Sequence, residues 1–285
     1  MPTQPKLVLF GDGRKDNVEQ CIDRFLAFVG DRCETAVRCG IEDCQQDLLE
    51  TADFAVVFGG DGTIISSAKQ LSQSRVPVIG VNLGKLGFLA EFSIDELEQS
   101  FDDIIAGKTS IEHRMMLCCN LYHDEKLTFT SKAVNDVFIT AGPPYRMIEL
   151  GLSVDRQPLA SCVSDGLIVS TPTGSTAYNL SAGGPILSAK LQAMVITPIC
   201  PHSLSFRPIV ISAASIVEVE PLELNKGTTI SIDGQISKPL STDSKLVVKR
   251  DEDPFLVVNN PRRSSWDTLA AKLGWAEKPK YKQNQ

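Results

Sequence analysis

A glycine-rich segment, Gly59-Gly60-Asp61-Gly62-Thr63, is the feature that most constrains how this chain folds. It follows the apolar run 54–58 and precedes a segment of helical apolar periodicity that starts at Ile64. This order predicts a buried strand, a tight turn and a helix. Glycine permits positive φ values and close approach of a ligand, and the N–H groups at a helix N-terminus favour an anion such as phosphate.

An acidic side chain, Asp61, lies inside this turn. Because a carboxylate repels phosphate, Asp61 needs a role that offsets the repulsion, such as holding a divalent metal or removing a proton from a hydroxyl. Both roles belong to phosphoryl transfer. The five residues alone also fit an ordinary glycine-rich strand-to-helix turn in which Asp61 is a cap.

The composition indicates a soluble globular protein. With 285 residues and 42% hydrophobic content, the chain is long enough for one large or two medium domains. The net charge of −7, without a basic cluster before the tail, argues against a general nucleic-acid or anionic-membrane partner. No apolar stretch approaches the roughly 18 to 20 residues that span a bilayer, and residues 1–5 lack the basic region followed by an apolar one that is typical of a secretory signal. We therefore expect a cytoplasmic protein.

Cysteine and histidine usage indicates no metal centre. The eight cysteines include no Cys-x-x-Cys pair and have mostly apolar neighbours, so we expect buried reduced thiols and neither disulfides nor a zinc site. The three histidines, His113, His123 and His202, are far apart in the sequence, and we expect them to be structural or exposed.

The first part of the chain alternates strands with helices. The predicted strands are 6–10, 35–39, 54–58 and 76–81, and the predicted helices are 17–29, 43–50, 64–72 and 94–106. This alternation predicts an α/β domain over residues 1–110, with a doubly wound and mostly parallel sheet. Ligands of such sheets bind beyond the carboxyl ends of the strands, where Asp61 and the segment 82–88 fall.

The pattern changes near Gly107, after which short strands rich in Val, Ile and Thr alternate with turns. We predict an all-β domain over 111–258, with strands at 117–122, 127–130, 133–140, 147–154, 166–171, 193–198, 208–211, 216–220, 228–232, 245–249 and 255–258. A short helix over 176–181, capped by Ser175, interrupts it. Residues 259–285 are predicted to form a helix, with Trp266, Leu269 and Leu273 on one side, and a tail that packs back on the first domain.

Several polar residues lie within the apolar stretches and loops of the predicted β domain, at positions where a purely structural sheet does not require them. Asn135-Asp136 interrupts the apolar stretch 133–139, and such a pair is disfavoured in a strand interior. An Asn can bind an adenine edge, and an Asp can accept bonds from a ribose diol. Asp165 precedes the hydroxyl-rich run 170–176, beside which Tyr178 offers a flat aromatic face. Each feature alone also fits turn chemistry or simple packing, and Asp233-Gly234-Gln235 alone is uninformative.

Taken together, these stretches resemble the NAD kinase family over nearly the whole chain. The motifs are GGDGT at Gly59, GVNLGKLGFL at Gly80, RMML at Arg114, ND at Asn135, DGLIVSTPTGSTAYNLSAGGPI at Asp165, TPICPHSLSFRPIV at Thr197, DGQ at Asp233 and LAAKLGW at Leu269. Phosphofructokinases and diacylglycerol kinases carry turns similar to GGDGT, whereas the long run from Asp165 is highly specific.

The resemblance implies an enzyme with an N-terminal α/β domain, a C-terminal β domain and an active site between them. It implies transfer of the γ-phosphoryl group of ATP, in some relatives of polyphosphate, to the 2′-hydroxyl of the adenosine ribose of NAD, which gives NADP. A divalent cation such as Mg²⁺ would arrive with ATP, with no metal fixed by the protein. The resemblance also implies a homo-oligomer, a tetramer or a dimer.

The resemblance assigns roles residue by residue. Asp61 would be the general base, and Gly59, Gly60, Gly62 and Thr63 would form the phosphate turn. The NAD-binding residues would be Asp61, Gly62, Phe88, Asn135, Asp136, Arg146, Asp165, Thr176, Ala177, Tyr178, Asn179, Leu180, Ser181 and Gln235. Phe88 either packs on a substrate ring or belongs to the core. Lys85 is a guess for neutralising the triphosphate.

Two positions depart from the family pattern. Relatives usually have Glu where this chain has Asp136, so its acceptor is one methylene shorter. Many bacterial relatives have an arginine where this chain has Val163, which leaves selectivity between NAD and NADH open. The rival functions are a lipid or sugar kinase that shares the GGDGT turn, and a non-catalytic dinucleotide-binding regulator.

Overall fold

The computed structural model describes residues 4–40, 44–84 and 86–274. The chain divides into two compact units: unit 1 comprises Met1–Glu112 and Leu256–Gln285, and unit 2 comprises His113–Phe255. The helices are α1 (Asp16–Val29), α2 (Gln46–Thr51), α3 (Asp61–Ser74), α4 (Ile94–Ile105), α5 (Tyr178–Ser181) and α6 (Ser265–Leu273). None of the described helices is long and apolar enough to cross a membrane.

Within the described residues, eighteen strands form three sheets of six strands each. In chain order they are β1 (Lys6–Gly11), β2 (Thr35–Cys39), β3 (Phe54–Phe58), β4 (Val78–Val81), β5 (Ile111–Arg114), β6 (Leu117–His123), β7 (Lys126–Ala133), β8 (Asp136–Thr140), β9 (Ile148–Val154), β10 (Gln157–Ser164), β11 (Gly166–Ser170), β12 (Ala193–Ile199), β13 (Ile209–Ser212), β14 (Val217–Glu223), β15 (Thr229–Ile232), β16 (Ile236–Pro239), β17 (Ser244–Arg250) and β18 (Phe255–Val258).

The sheet of unit 1 has the order β2-β1-β3-β4-β18-β5. The pairings β1–β2, β1–β3, β3–β4 and β4–β18 are parallel. Strand β4 is buried at every residue, which matches its continuous apolar sequence, because helices cover both faces of such sheets. The apolar face of α1 packs on this sheet, where the ring of Phe25 lies 5.7 Å from the rings of both Phe58 and Phe101. The predicted α/β architecture is confirmed.

Unit 2 consists of two antiparallel sheets, with the orders β10-β9-β14-β17-β6-β7 and β13-β12-β11-β8-β15-β16. Strands such as β9 alternate buried and less buried residues, as expected when one face of a sheet meets a core. A single apolar cluster contains residues of both sheets, including Leu150 and Cys162 from one and Val137 and Ile230 from the other. The inner faces of the two sheets therefore pack on each other.

One strand that was predicted for the β domain belongs instead to the sheet of unit 1. The sequence placed 255–258 in the second domain, whereas β18 lies in the first sheet, with Val257 parallel to Val78. An apolar run of four residues reads the same in either sheet, so periodicity alone could not assign it.

The predicted strand 133–140 is wrong as a single element. Strand β7 ends at Ala133 and β8 begins at Asp136, with Val134 and Asn135 in the bend between them. Because β7 and β8 belong to different sheets, this bend carries the chain from one sheet to the other. The polar pair therefore lies at a sheet crossing and not in a strand interior.

The sequence also missed three strands, β5, β10 and β16, which lie at sheet edges. Edge strands keep one side in solvent and need less apolar sequence. The last helix, α6, belongs to unit 1. Its predicted apolar side is wrong at Trp266, which is 64% exposed, and at Leu273, which is 36% exposed, whereas Leu269 is buried.

Candidate active site

The glycine turn is the first turn of helix α3. The helix begins at Asp61, three residues before the predicted start, and Gly60 is its N-cap. A Cβ on Gly59 would lie 2.4 Å from the hydroxyl oxygen of Thr63, so a side chain is excluded there. A Cβ on Gly60 or Gly62 would meet nothing within 4 Å. The two exposed glycines therefore leave open space beside the first turn of a helix, and a helix N-terminus favours an anion.

The carboxylate of Asp61 is bound by the loop that follows strand β4. Its Oδ2 accepts a hydrogen bond from the N–H of Phe88 at 2.9 Å. Its Oδ1 accepts from the N–H groups of Leu89 at 2.9 Å and Ala90 at 3.1 Å. A Cβ on Gly87 would lie 2.0 Å from that Oδ1, so only glycine allows the loop to approach. Asp61 is thus held in one orientation by backbone donors.

A lysine that the sequence reasoning missed completes this cluster. The Nζ of Lys272, on helix α6, lies 3.2 Å from Oδ2 of Asp61 and 4.6 Å from the centre of the Phe88 ring. The only sequence signal was its position in the LAAKLGW motif. Phe88 is half-buried and carries this ammonium on its face. The guessed cation, Lys85, lies outside the described residues.

Asp61 is an anion at neutral pH. Burial opposes its ionisation, but the three backbone N–H groups and the Lys272 ammonium outweigh that effect, so the pKa of Asp61 lies below its usual value of 3.8. A carboxylate with a low pKa is a weak base, which limits how early in a reaction it can take a proton.

In unit 2, the pair Asn135-Asp136 is held by Asp233. The carboxylate of Asp233 accepts hydrogen bonds from three consecutive backbone N–H groups: Val134 at 2.9 Å, Asn135 at 2.7 Å and Asp136 at 3.1 Å. The N–H of Asp233 donates in return to the carbonyl of Asp136 at 2.9 Å. The bend between the sheets is therefore fixed by one acidic side chain, whose role the DGQ motif alone did not reveal.

These two carboxyl groups are hard to ionise. Burial, with the charge of Asp233 in addition, raises the pKa of Asp136 to about 7. Burial also raises the pKa of Asp233 to about 6, against the lowering effect of its three N–H donors. Raised pKa values occur often among functional carboxyl groups, and also among buried structural ones.

The raised pKa of Asp136 predicts a specific pH dependence of stability. Between about pH 4 and pH 7 the folded chain holds a proton on Asp136 that the unfolded chain releases, so the free energy of unfolding falls as the pH rises through this window. Asp136→Asn removes this penalty. In urea unfolding, we expect the variant to gain roughly 2 kcal/mol relative to the wild type between pH 5 and pH 8. An equal difference at both pH values would contradict the raised pKa.

The hydroxyl-rich loop after β11 packs directly on Asn135. A Cβ on Gly174 would lie 2.0 Å from the Asn135 carbonyl oxygen, and the N–H of Thr171 donates to the same oxygen at 2.8 Å. The Thr171 hydroxyl donates to the Val134 carbonyl at 2.6 Å. The hydroxyl of Thr173 is buried and finds no partner within 4–40, 44–84 and 86–274. Thr173, which the sequence reasoning did not select, is thus a candidate ligand contact.

The predicted helix over 176–181 is shorter and is not capped by Ser175. A 3-10 turn covers Gly174–Thr176, and α5 begins at Tyr178. The Ser175 hydroxyl instead donates to the Pro172 carbonyl at 2.6 Å and accepts from Leu187 N–H at 3.0 Å, which ties the two sides of the loop together.

Tyr178 and Asn179 differ in accessibility. Tyr178 is 36% exposed, and its ring packs edge-on at 4.9 Å against Phe138 of β8. Burial raises the pKa of Tyr178, with smaller contributions from negative charge on neighbouring groups that include Asp136 and Asp165. Asn179 is fully buried: its amide donates to the Ser175 and Pro185 carbonyls and its oxygen accepts from Thr197. Asn179 therefore holds the loop in shape, and its predicted contact with NAD stays a prediction.

The other predicted binding residues spread around this loop. Thr176, Ala177 and Leu180 are half-buried and Ser181 is exposed, all next to Tyr178 in the chain. Asp165 is exposed at the end of β11 opposite to Ser170, which pairs with Asp136. Gln235 is exposed in the turn that carries Asp233. Arg146 is exposed on the loop before β9, and no hydrogen bond or ion pair of the described chain joins its side chain to the others.

The described residues contain one group of three potential metal ligands within 4.8 Å of one another: His123, Asp124 and Asp243. All three are exposed, and exposed acidic groups of this kind are common without an ion. At the glycine turn, the Asp61 carboxylate is already surrounded by hydrogen-bond donors and is not arranged as a metal ligand.

An ionised carboxylate at the N-terminus of a helix, in an α/β unit followed by a β-rich unit, suits a phosphotransferase. Two family models match the chain: the ATP-NAD kinase N-terminal domain over residues 28–109 and the ATP-NAD kinase C-terminal domain over residues 134–260. The chain belongs to the ATP-NAD kinase family. It is therefore an enzyme that phosphorylates NAD with ATP as the donor.

Individual relatives agree with this assignment. The chain is 37% identical over 272 residues to an NAD kinase of Rhodopirellula baltica, which covers 95% of this chain and 87% of the relative. It is 36% identical over 282 residues to an NAD kinase of Chromohalobacter salexigens, and the alignment covers 95% of this chain and 96% of the relative.

Two solved structures share the fold. Yeast NADH kinase in complex with NADH has a TM-score of 0.83 and 25% identity, and covers 100% of this chain and 91% of its own. An NAD kinase from Archaeoglobus fulgidus in complex with ATP has a TM-score of 0.72 and 25% identity, and the match covers 94% of this chain and 98% of that kinase. The prediction of the two-domain kinase fold is confirmed.

Proposed function

We propose that this enzyme transfers the γ-phosphoryl group of ATP to the 2′-hydroxyl of the adenosine ribose of NAD. The hydroxyl oxygen forms a bond to the γ-phosphorus, the bond from that phosphorus to the β–γ bridging oxygen breaks, and ADP leaves. The hydroxyl proton passes to the carboxylate of Asp61, and the products are NADP and ADP. The observation that carries this proposal is the fixed, ionised carboxylate at the first residue of α3.

The low pKa of Asp61 fits the chemistry of phosphoryl transfer. In a loose transition state the leaving bond breaks well before the new bond is complete, so the hydroxyl becomes acidic only late in the reaction. A weak base in the right place is then sufficient, because the proton moves after most of the bond change. The role of Asp61 is to orient the hydroxyl and to accept its proton at that late stage.

NAD recognition falls to residues of unit 2. Asn135 and Asp136, fixed by Asp233, would bind the adenosine part, and the partly exposed ring of Tyr178 would pack beside it. Thr176, Ala177, Leu180 and Ser181 would line the adenine side. Asp165 would meet the nicotinamide end, and Arg146 and Gln235 would contact the dinucleotide.

A divalent cation would be held by the phosphates of ATP, where it would neutralise negative charge. The three backbone N–H groups that donate to the Asp61 carboxylate leave about one acceptor site, which the proposed reaction gives to the substrate hydroxyl, so the cation is assigned to the phosphates. Use of polyphosphate in place of ATP, a homodimeric or homotetrameric state and a cytoplasmic location stay predictions.

The test is formation of NADP by the purified protein from NAD, ATP and Mg²⁺, detected with an NADP-specific dehydrogenase. We expect turnover with NAD. A parallel reaction with NADH measures selectivity, which Val163 leaves open. If NAD binds but is not converted with ATP or polyphosphate, the protein is a dinucleotide-binding regulator and the proposed reaction is wrong.

A further inference from the structure

We propose that Lys272 is the cation that binds the transferred phosphoryl group, and that it leaves Asp61 to do so. This inference rests on the proposed role of Asp61 as the base. It assigns to helix α6 a direct part in catalysis. A lysine from the end of the chain would thus perform the task that a lysine within the phosphate-binding loop performs in other nucleotide-binding proteins.

The first argument is a count of lone pairs on Asp61. A carboxylate offers about four hydrogen-bond acceptor sites. In this protein Oδ1 accepts from Leu89 and Ala90, and Oδ2 accepts from Phe88 and from Lys272. Four donors therefore saturate the carboxylate. A substrate hydroxyl can bond to Asp61 only if one of these donors moves away.

The second argument identifies the donor that can move. Three of the four donors are backbone N–H groups of one loop, which Gly87 allows to lie against the carboxylate. The fourth is the end of a flexible side chain, and 31% of the Lys272 side chain is exposed. Rotation about its side-chain bonds moves the ammonium without disturbing the loop. Lys272 is therefore the displaceable partner.

The third argument concerns where the ammonium goes. The Lys272 ammonium contacts Asp61, the first residue of α3, and a Cβ on the neighbouring Gly60 or Gly62 would meet no atom within 4 Å. The helix N-terminus favours phosphate at that position. Lysine has three N–H donors, so it can contact a phosphate oxygen while it stays over the ring of Phe88. A doubly or triply charged phosphate attracts the ammonium more strongly than one carboxylate does.

The two events are thus coupled. In this structure the ammonium occupies the acceptor site that a hydroxyl would need. When ATP binds, the ammonium moves to the γ-phosphoryl oxygens, neutralises their charge and frees one lone pair on Oδ2 of Asp61. The base becomes available only when the phosphoryl donor is in place.

The test uses Lys272→Met, which keeps the length of the side chain and removes the charge. We expect kcat for NADP formation to fall about 100-fold, as for the loss of one electrostatic donor to a transition state. Affinity for an ATP analogue with an imido β–γ bridge should fall about tenfold, whereas affinity for ADP should change less than about twofold. Lys272→Arg should recover part of both losses.

The matched control is Lys69→Met, which removes one charge from an exposed position of α3. It should leave kcat and both affinities unchanged. Wild-type kcat in Lys272→Met, or an equal loss of affinity for the analogue and for ADP, would overturn the role of Lys272. The binding measurements need no turnover, so they decide on Lys272 even if the wild type makes no NADP, a result that would refute the proposed function alone.

Discussion

Asp61→Asn is expected to lower kcat for NADP formation about 1000-fold, since general-base catalysis contributes roughly 10² to 10⁴. An asparagine has the same shape but cannot accept the hydroxyl proton. The substitution also changes the hydrogen bonds: the amide oxygen can still accept from Leu89 and Ala90, whereas the amide NH₂ faces the N–H of Phe88 and the ammonium of Lys272. This clash of donors is expected to lower the free energy of unfolding by about 1 to 3 kcal/mol.

Kinetics and binding together separate these two effects. The affinity for NAD should stay within about fivefold of the wild type, because we assign most NAD contacts to unit 2. Asp47→Asn is the matched control, since Asp47 is exposed on α2. It should change neither kcat nor NAD affinity. Wild-type turnover in Asp61→Asn would remove the base from the mechanism, and a parallel collapse of NAD binding would indicate that the variant acts through misfolding.

The sequence predicted the Asp61 turn correctly because its signals are local. An apolar strand, glycines and a periodic helix follow one another within about 20 residues, and each has a direct physical meaning. The partners of Asp61 are not local. Phe88 and Lys272 lie 27 and 211 positions away in the chain. Nothing in the sequence around Gly87 indicates that the Asp61 carboxylate packs against it. This contact is seen only in the structure.

The β-rich unit shows the same limit. Alternating apolar residues located most of its strands, but edge strands such as β10 lack that pattern, and the apolar run of β18 does not say which sheet it joins. The pair Asn135-Asp136 is disfavoured in a strand interior, and this correctly indicated that the strand is not regular there. Its resolution, a bend between two sheets fixed by a carboxylate, required knowledge of Asp233 almost 100 positions later.

Asp233→Ala is expected to lower the free energy of unfolding by about 3 kcal/mol, because it leaves three partly or fully buried backbone N–H groups without their acceptor. Asp233 also has a φ of 53°, a left-handed conformation that alanine adopts less readily than Asp or Asn. Since the same bonds fix Asn135 and Asp136, NAD affinity should fall at least tenfold, measured by calorimetric titration of folded protein below the unfolding transition.

Asp233→Asn distinguishes the hydrogen bonds of this side chain from its charge. Asparagine tolerates the left-handed conformation and keeps one acceptor, so most of the stability and NAD affinity should return. It also removes the negative charge beside Asp136, so the pKa of Asp136 should fall toward its usual value, although burial still raises it. Glu252→Ala, at an exposed position of the same unit, should have no effect. If Asp233→Ala bound NAD as the wild type does, the bend at Asn135 would not be part of the binding site, because its geometry would then be irrelevant to affinity.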